Sequence, residues 1–302
     1  MNSGTAPRVS MGFPIYNGEE FAASALDSLL GQSFSDFEII ISDNHSTDRS
    51  EAICREYATR DPRIRYDRAD RNRGATWNFN RVFELSRGRY FKWASADDIH
   101  APDYVLRCVE VLDARPDVVL CYPKTKIIDD SGAVVRDAED NLDLPWPDAA
   151  RRFREYLQRI RLSNAVFGLI RSETLRQVGR MGNYPGADVV LMAALCMRGA
   201  FAEVPEFLFY RRLGRQNEVR DQSLERSQEF YDPGTRGRIF MRTWRHQFEY
   251  LRAAFRSPLP LSERARISAL IARIMLNRRG DLARELVGAA MKMWDRRPAL
   301  KA

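Results

Sequence analysis

Four short polar clusters and one later acidic residue hold most of the chemically able side chains. The clusters are Pro14-Ile15-Tyr16-Asn17-Gly18-Glu19, Ser42-Asp43-Asn44-His45-Ser46-Thr47-Asp48, Asn72-Arg73-Gly74 with Trp77 and Asn78, and Ser95-Ala96-Asp97-Asp98. Asp188 comes later, in Gly186-Ala187-Asp188-Val189-Val190-Leu191. A tyrosine face can stack on a planar ring. Carboxylates can accept hydrogen bonds from N–H and hydroxyl groups, or hold a hard cation through oxygen. Each cluster alone also has a local reading. Pro-x-Tyr-Asn makes a turn, Asp48 and Asp188 suit helix N-caps, and Asp97-Asp98 could lead into the helix that begins at Pro102. What is specific is their order, because each of the four follows a short apolar run.

Those runs define the elements that must position the clusters. Residues 9–14, 37–42, 63–66 and 90–94 read as strands, and 18–30, 48–60 and 76–85 as helices. Strands alternating with helices of this length imply βαβ units and a mostly parallel sheet. Ligands of such sheets sit beyond the carboxyl ends of the strands, where Asp43 and Asp97-Asp98 fall. The rhythm then changes. Residues 102–114 read as a helix with Pro at its start, 118–122 as a strand, and 124–136 as a hairpin turning at Asp129-Asp130-Ser131-Gly132. Residues 137–147 read as a loop, 148–161 and 188–197 as helices, and 164–170 and 202–211 as strands. From Gly234 the pattern is helical, broken at Pro258 and Pro260. Of the three histidines, His100 is expected on a surface loop.

The ordered clusters resemble the family 2 glycosyltransferases of the GT-A fold, inverting enzymes that use nucleotide-sugar donors. The resemblance runs from about Val9 to Arg212. It implies an α/β Rossmann-like sheet flanked by helices, followed by a helical C-terminal region. It implies that Pro14, Tyr16, Asn17, Glu19, Asp43, Asn72, Gly74 and Asp97 form the nucleotide pocket. In that family an Asp-x-Asp element binds a divalent metal bridging the diphosphate. Here the element reads Ser95-x-Asp97 with Asp98 following, so a hydroxyl replaces the first carboxylate. Asp97 is the expected main ligand of Mg²⁺ or Mn²⁺, with Mn²⁺ favoured, and Asp98 either assists it or holds nearby backbone. Asp188 matches the position of the general base, which takes the acceptor proton during in-line attack. Trp77, Arg211 and Arg212 are candidate contacts to diphosphate or acceptor.

The chain has 302 residues, of which 44% are apolar and 29% charged, an ordinary globular composition. No run approaches the ~20 apolar residues of a transmembrane helix, and the first eight residues lack the apolar core of a signal peptide. The four cysteines share no CxxC spacing, which fits a reducing cytosol rather than a disulfide framework. A cytoplasmic enzyme, peripheral at most to the inner membrane face, is the expectation. The net charge of +7 is uneven: residues 1–210 carry −4 and residues 211–302 carry +11. The expected division is a catalytic domain over 1–212 and a basic helical region over 213–302. In the latter, Phe240, Trp244, Phe248, Leu251 and Phe255 form one apolar stripe, and Ile267, Leu270, Ile271 and Ile274 a second. The stripes most simply pack on the catalytic domain or, in a homo-oligomer, on another copy of the chain, and arginines on the other faces are compatible with plain solvation, anionic lipid headgroups, an anionic acceptor or a partner enzyme. Nucleic-acid binding is disfavoured, because no motif or stacking arrangement supports it. The expected partners are a nucleotide-sugar donor, UDP-sugar by default, and a saccharide, lipid-linked or small-molecule acceptor. Two other readings stay open at this point: a nucleotidyltransferase, whose Gly-rich phosphate loop is missing after the first strand, and a non-catalytic scaffold.

Overall fold

The computed structural model describes residues 6–213, 230–235 and 239–295. Strands β1 (Val9–Ile15), β2 (Phe37–Asp43), β3 (Ile64–Arg68) and β4 (Tyr90–Trp93) alternate with helices α1 (Ala22–Leu30), α2 (Ser50–Arg60) and α3 (Ala75–Glu84). The chain continues through β5 (Ile99–His100), α4 (Tyr104–Ala114), β6 (Val118–Ile128), β7 (Val134–Asp137), α5 (Ala149–Arg159), β8 (Leu169–Arg171), α6 (Ser172–Val178), α7 (Ala187–Cys196) and β9 (Ala200–Arg212). Helices α8 (Arg242–Arg256), α9 (Leu261–Asn277) and α10 (Arg279–Asp295) complete it.

The sheet order is β3-β2-β1-β4-β8-β6-β9-β5, with β7 paired to β6. The first four strands are parallel, as are β6 and β9. Pairings β4–β8, β6–β8, β6–β7 and β5–β9 are antiparallel. The expected α/β class is therefore present, parallel in its first part and mixed beyond. Its order decides where a ligand can sit. The chain runs outward from β1 through β2 to β3, then returns to place β4 on the other side of β1. That reversal opens a crevice beyond the carboxyl ends of β1 and β4.

Strands β1 and β2 are buried along their whole length, as expected for a sheet covered on both faces. Charge enters this core only where it is paired. Glu38 on β2 is 3% exposed and accepts hydrogen bonds from Ser10 Oγ (2.7 Å), Arg87 Nη2 (2.8 Å) and Arg65 Nη1 (3.2 Å). Burial alone would raise its pKa, but the bonds from Arg87, Ser10 and Arg65 outweigh it, and the carboxyl is held below its ordinary range. A lowered folded-state pKa stabilises the protein above the unfolded value of about 4.3, and that contribution fades as pH falls through the folded value. Glu38→Gln is therefore expected to cost about 1–3 kcal/mol at pH 7. The gap to wild type should close below about pH 4 in melting curves recorded against pH.

Several expectations need correction. Residues 164–170 do not form one strand: Asn164–Phe167 is a 3₁₀ turn, and only Leu169–Arg171 pairs. Helix α6 was not anticipated. On α8 the buried face is Gln247, Tyr250 and Ala254, whereas Phe248 and Phe255 are 59% and 63% exposed. Small Ala254 and the edge-on contact of Tyr250 with Phe153 (ring centroids 5.5 Å apart) set that register. The second stripe behaves as expected, with Ile267 and Ile271 fully buried. Tyr250, Ala254, Ile267 and Ile271 join the same hydrophobic core as β1 and β4. No helix among the described residues is long and apolar enough to cross a membrane.

Candidate functional site

The loops after β1 and β2 are joined by hydrogen bonds. Asn17 adopts a left-handed backbone (φ 50°), a conformation asparagine tolerates. Its Oδ1 accepts from Thr47 N (2.8 Å), and its N–H donates to Ser46 Oγ (3.0 Å). Glu19 Oε2 accepts from Arg49 N (2.8 Å), and Asp48 accepts from Glu19 N and Ser50 N. Asp48 thus braces the start of α2 through Ser50 N, although the N-cap itself is Arg49, without a side-chain cap bond. These bonds leave the Tyr16 ring 46% exposed at the crevice.

Asp43 ends β2 and is fully buried. Oδ1 accepts from Ser46 N (2.8 Å), while Oδ2 accepts from Tyr66 (2.9 Å) and Arg68 Nε (3.0 Å). Both of its carboxylate oxygens are thus engaged by donors of β3 and the loop after β2. Pro14 is likewise buried within β1. Asn44 links the third cluster, because its Nδ2 donates to Asn72 Oδ1 (2.8 Å) and to the Gly74 carbonyl (3.2 Å). Asn78 Nδ2 reaches the Ile15 carbonyl at the end of β1 (3.1 Å). Trp77 is half-buried under the Arg73 guanidinium, 5.1 Å from its ring centroid.

Gly74 caps α3 at φ 86°, ψ 161°, a region open essentially to glycine alone. A Cβ there would lie 2.4 Å from the Tyr231 carbonyl oxygen. Gly74→Ala is expected to lose about 1–3 kcal/mol of stability, measurable by denaturant unfolding, and to weaken nucleotide binding.

The acidic turn after β4 divides its labour. Ser95 Oγ donates to Asp97 Oδ1, and Asp97 Oδ2 has no hydrogen-bond partner among the described residues. Asp98 is 2% exposed, and its Oδ1 accepts from the backbone N–H of Arg212 (2.9 Å). Of the two roles expected of Asp98, assisting the metal or holding nearby backbone, this bond supplies the second and fastens the turn to β9. Arg211 and Arg212 are buried, 7% and 6% exposed, and so are not a solvated surface pair. Arg211 Nη1 donates to the Leu162 carbonyl (2.7 Å), and Arg212 donates to the carbonyls of Asp97 (3.0 Å) and Asp130 (2.9 Å). Arg212 holds the backbone of Asp97 in place.

Beneath the turn lies a pair that sequence reasoning missed. Lys92 on β4 is fully buried, and its Nζ is 2.8 Å from His100 Nε2 and donates to the Trp93 carbonyl (3.1 Å). Burial pushes the ammonium down to about 7, against the raising effect of Cys108 and Asp98. Burial, then Lys92, pushes His100 well below its usual value. His100 is 3% exposed, not a surface loop residue. The signal was a lysine inside the apolar run Tyr90-Phe91-Lys92-Trp93-Ala94, which must bury its amine if the run is a central strand.

Among the described residues no three His, Cys, Asp or Glu side chains cluster as a metal cage. A site of one carboxylate and one hydroxyl fits a hard cation only if a ligand supplies most of the oxygens. This is the habit of Mg²⁺ with nucleotide phosphates. Asp97, with Ser95 beside it and one oxygen free, meets that requirement.

Asp188 is held from three sides. The loop before α7 is tied to α3 by Asn80, whose Oδ1 accepts from Met181 N and whose Nδ2 donates to the Met181 carbonyl (both 2.9 Å). Tyr156 donates to the Val189 carbonyl (2.9 Å), and buried Arg152 donates to the Cys196 carbonyl (2.6 Å) at the far end of α7. The N-cap of α7 is Gly186, with no side-chain cap bond. Asp188 lies inside the first turn, half-buried, and accepts no hydrogen bond among the described residues. The capping alternative is thereby removed.

Comparison with known proteins gives the same fold. S. aureus TarS 1-349 in complex with UDP-GlcNAc superposes with a TM-score of 0.67 at 14% identity, covering 94% of this chain and 81% of that one. The mannosyltransferase PcManGT from Pyrobaculum calidifontis, in complex with GDP-Man and Mn²⁺, gives 0.51 at 16% identity, covering 97% and 88%. In sequence, an uncharacterised glycosyltransferase of Methanocaldococcus jannaschii is 29% identical over 43% of this chain and 46% of its own length. Chondroitin synthase of Escherichia coli is 28% identical over 48% of this chain and 20% of its own length. The matched stretch spans less than half of each of these two relatives. The sequence profile described as Glycosyl transferase family 2 matches residues 10–177, more than half of the chain and all four of the polar clusters. With the strand order, the crevice at the β1–β4 reversal and this match in agreement, the chain belongs to glycosyl transferase family 2.

Proposed function

We propose that the protein is an inverting glycosyltransferase that moves a sugar from a UDP-sugar to an acceptor hydroxyl, with Asp188 as general base and Asp97 as the carboxylate for a divalent cation. The observation that carries this reading is the unpartnered carboxylate of Asp188, fixed in the first turn of α7 by a loop bonded to α3 of the nucleotide-site network. UDP is favoured because TarS binds UDP-GlcNAc, and Mn²⁺ because the Pyrobaculum enzyme is described with it.

In this reading Tyr16 stacks on the base, and the Asn44–Asn72–Gly74 network holds the pocket wall that faces the ribose. Asp97 and Ser95 hold the cation, which when bound stabilises charge on the departing diphosphate. Arg212 fixes the Asp97 backbone so that the carboxylate meets the diphosphate without rearrangement. Asp188 Oδ takes the acceptor hydroxyl proton as that oxygen bonds to the anomeric carbon. The carbon–oxygen bond to the diphosphate breaks with its electrons leaving on the nucleotide. One displacement inverts the anomeric centre, and no second carboxylate is needed as nucleophile. The division of the chain into a catalytic part over 1–212 and a basic helical part over 213–302 belongs to the same proposal.

The test is release of UDP from a panel of UDP-sugars without acceptor. Slow hydrolysis that EDTA suppresses and Mn²⁺ restores is expected. No UDP release from any donor would overturn the reading in favour of a non-catalytic scaffold.

A further inference from the structure

Strand β4 runs into the acidic turn, and residues 94–98 alone separate it from β5. Short as the turn is, no ladder joins the two strands. The order β4-β8-β6-β9-β5 puts three strands between them. Each strand is held by other neighbours, β4 by β1 and β8, and β5 by β9. The backbone at the two ends of the turn is likewise fixed elsewhere. Ala94 N–H donates to the Gly12 carbonyl (2.8 Å), and His100 N–H donates to Ser28 Oγ (3.2 Å). A direct link between the ends comes from side chains. Lys92 Nζ meets His100 Nε2 at 2.8 Å and donates to the Trp93 carbonyl at 3.1 Å.

This pair is costly to the core. Lys92 is fully buried, with Nζ 4.8 Å from the Tyr104 ring centroid. The His100 ring packs against Tyr104 and Phe209, with centroids 5.1 and 5.2 Å away. Its Nδ1 is buried with no hydrogen-bond partner among the described residues. Two apolar side chains of similar shape would fill the space without an orphaned polar atom. They could not supply a directional bond across the base of the turn. Ser95 Oγ already holds Asp97 Oδ1, and Arg212 holds the Asp97 carbonyl. Lys92 adds a third hold from beneath.

We propose that Lys92 is a positioning residue for Asp97. By bridging the Trp93 carbonyl and His100 Nε2, it closes the base of the acidic turn and keeps Ser95 and Asp97 in place for a divalent cation before the cation arrives. This inference rests on the reading above that makes Asp97 the cation's carboxylate.

Titration with UDP at rising Mn²⁺ concentrations tests it in wild type, K92M and K92M/H100L. In K92M the Mn²⁺ needed to tighten UDP binding is expected to rise about tenfold or more, the loss usual when a group supporting a metal ligand is removed. Affinity for UDP without Mn²⁺ should stay within about twofold. K92M/H100L is expected to melt above K92M, because both partners are then apolar, and to keep the same Mn²⁺ defect. Recovery of the Mn²⁺ response together with stability would make the pair merely structural and overturn the proposal. An unchanged Mn²⁺ response in either variant, or an equal fall in UDP affinity without Mn²⁺, would also overturn it. Amide exchange followed by NMR in metal-free wild type needs no variant. The His100 N–H is expected to exchange slowly, and fast exchange there would show an open turn and overturn the proposal. Absence of any Mn²⁺ effect on UDP binding in wild type sinks the cation reading instead. In that case His100 exchange that is clearly faster in K92M than in wild type leaves the positioning of the turn standing, and equal exchange in the two overturns it.

Discussion

Asp188→Asn is expected to fold normally, bind UDP as tightly as wild type, and lose about 10²–10⁴-fold in turnover. Asparagine keeps the shape of the side chain but cannot take a proton. No hydrogen bond to Asp188 is lost among the described residues, so little stability should be lost. The neighbouring geometry is secured elsewhere, by Tyr156 on the Val189 carbonyl and by Asn80 on Met181. Glycosyl transfer followed with a coupled UDP assay, beside a UDP titration of the same variant, separates the two effects. Near-normal turnover would refute the base assignment, and a matching loss of UDP affinity would move Asp188 into the donor site.

Asp97→Asn should remove the effect of metal. Mn²⁺ is expected to tighten UDP binding in wild type and to have no effect in the variant, with turnover reduced roughly a hundredfold or more, the several kcal/mol a divalent cation contributes. The neighbouring position supplies the contrast. Asp98 accepts the Arg212 backbone N–H from a buried site. Asp98→Asn is therefore expected to lower the melting temperature while leaving the Mn²⁺ effect on UDP in place. If Asp98→Asn abolished the metal effect and Asp97→Asn did not, the division of labour in this turn would be reversed.

The first half of the fold was legible because local and global signals agree there. Each apolar run from β1 to β4 leads into a polar cluster, and β1, β2 and β4, buried along their whole length, tolerate no other pattern. The site could be listed from those clusters, but the duty of each member could not. Asp43 and Asp98 have the same side chain as Asp97, and only three-dimensional packing puts Tyr66, Arg68 and the Arg212 N–H against the first two. Arg211 and Arg212 read as a clamp because two adjacent arginines at a strand end look exposed. Pairing of β9 with β6 turns Arg212 toward the carbonyls of Asp97 and Asp130. His100 and Lys92 were hidden for the same reason, since they meet through Nε2 and Nζ inside the core. On α8 Phe248 and Phe255 point outward, while Gln247, Tyr250 and Ala254 point inward beside the half-buried Leu251. Hydrophobic periodicity alone therefore placed only part of the stripe on the buried side.

The account stands on one claim: that the crevice beyond β1 and β4 binds a nucleotide diphosphate through a cation at Asp97. Thermal unfolding with UDP, dTDP and GDP sugars, each with and without Mn²⁺, tests it most directly, because a ligand that binds only the folded state raises its melting temperature. The account predicts a clear rise with a UDP-sugar and Mn²⁺ together, much smaller with the sugar alone, and absent in Asp97→Asn. No shift with any nucleotide sugar, with or without Mn²⁺, would contradict it.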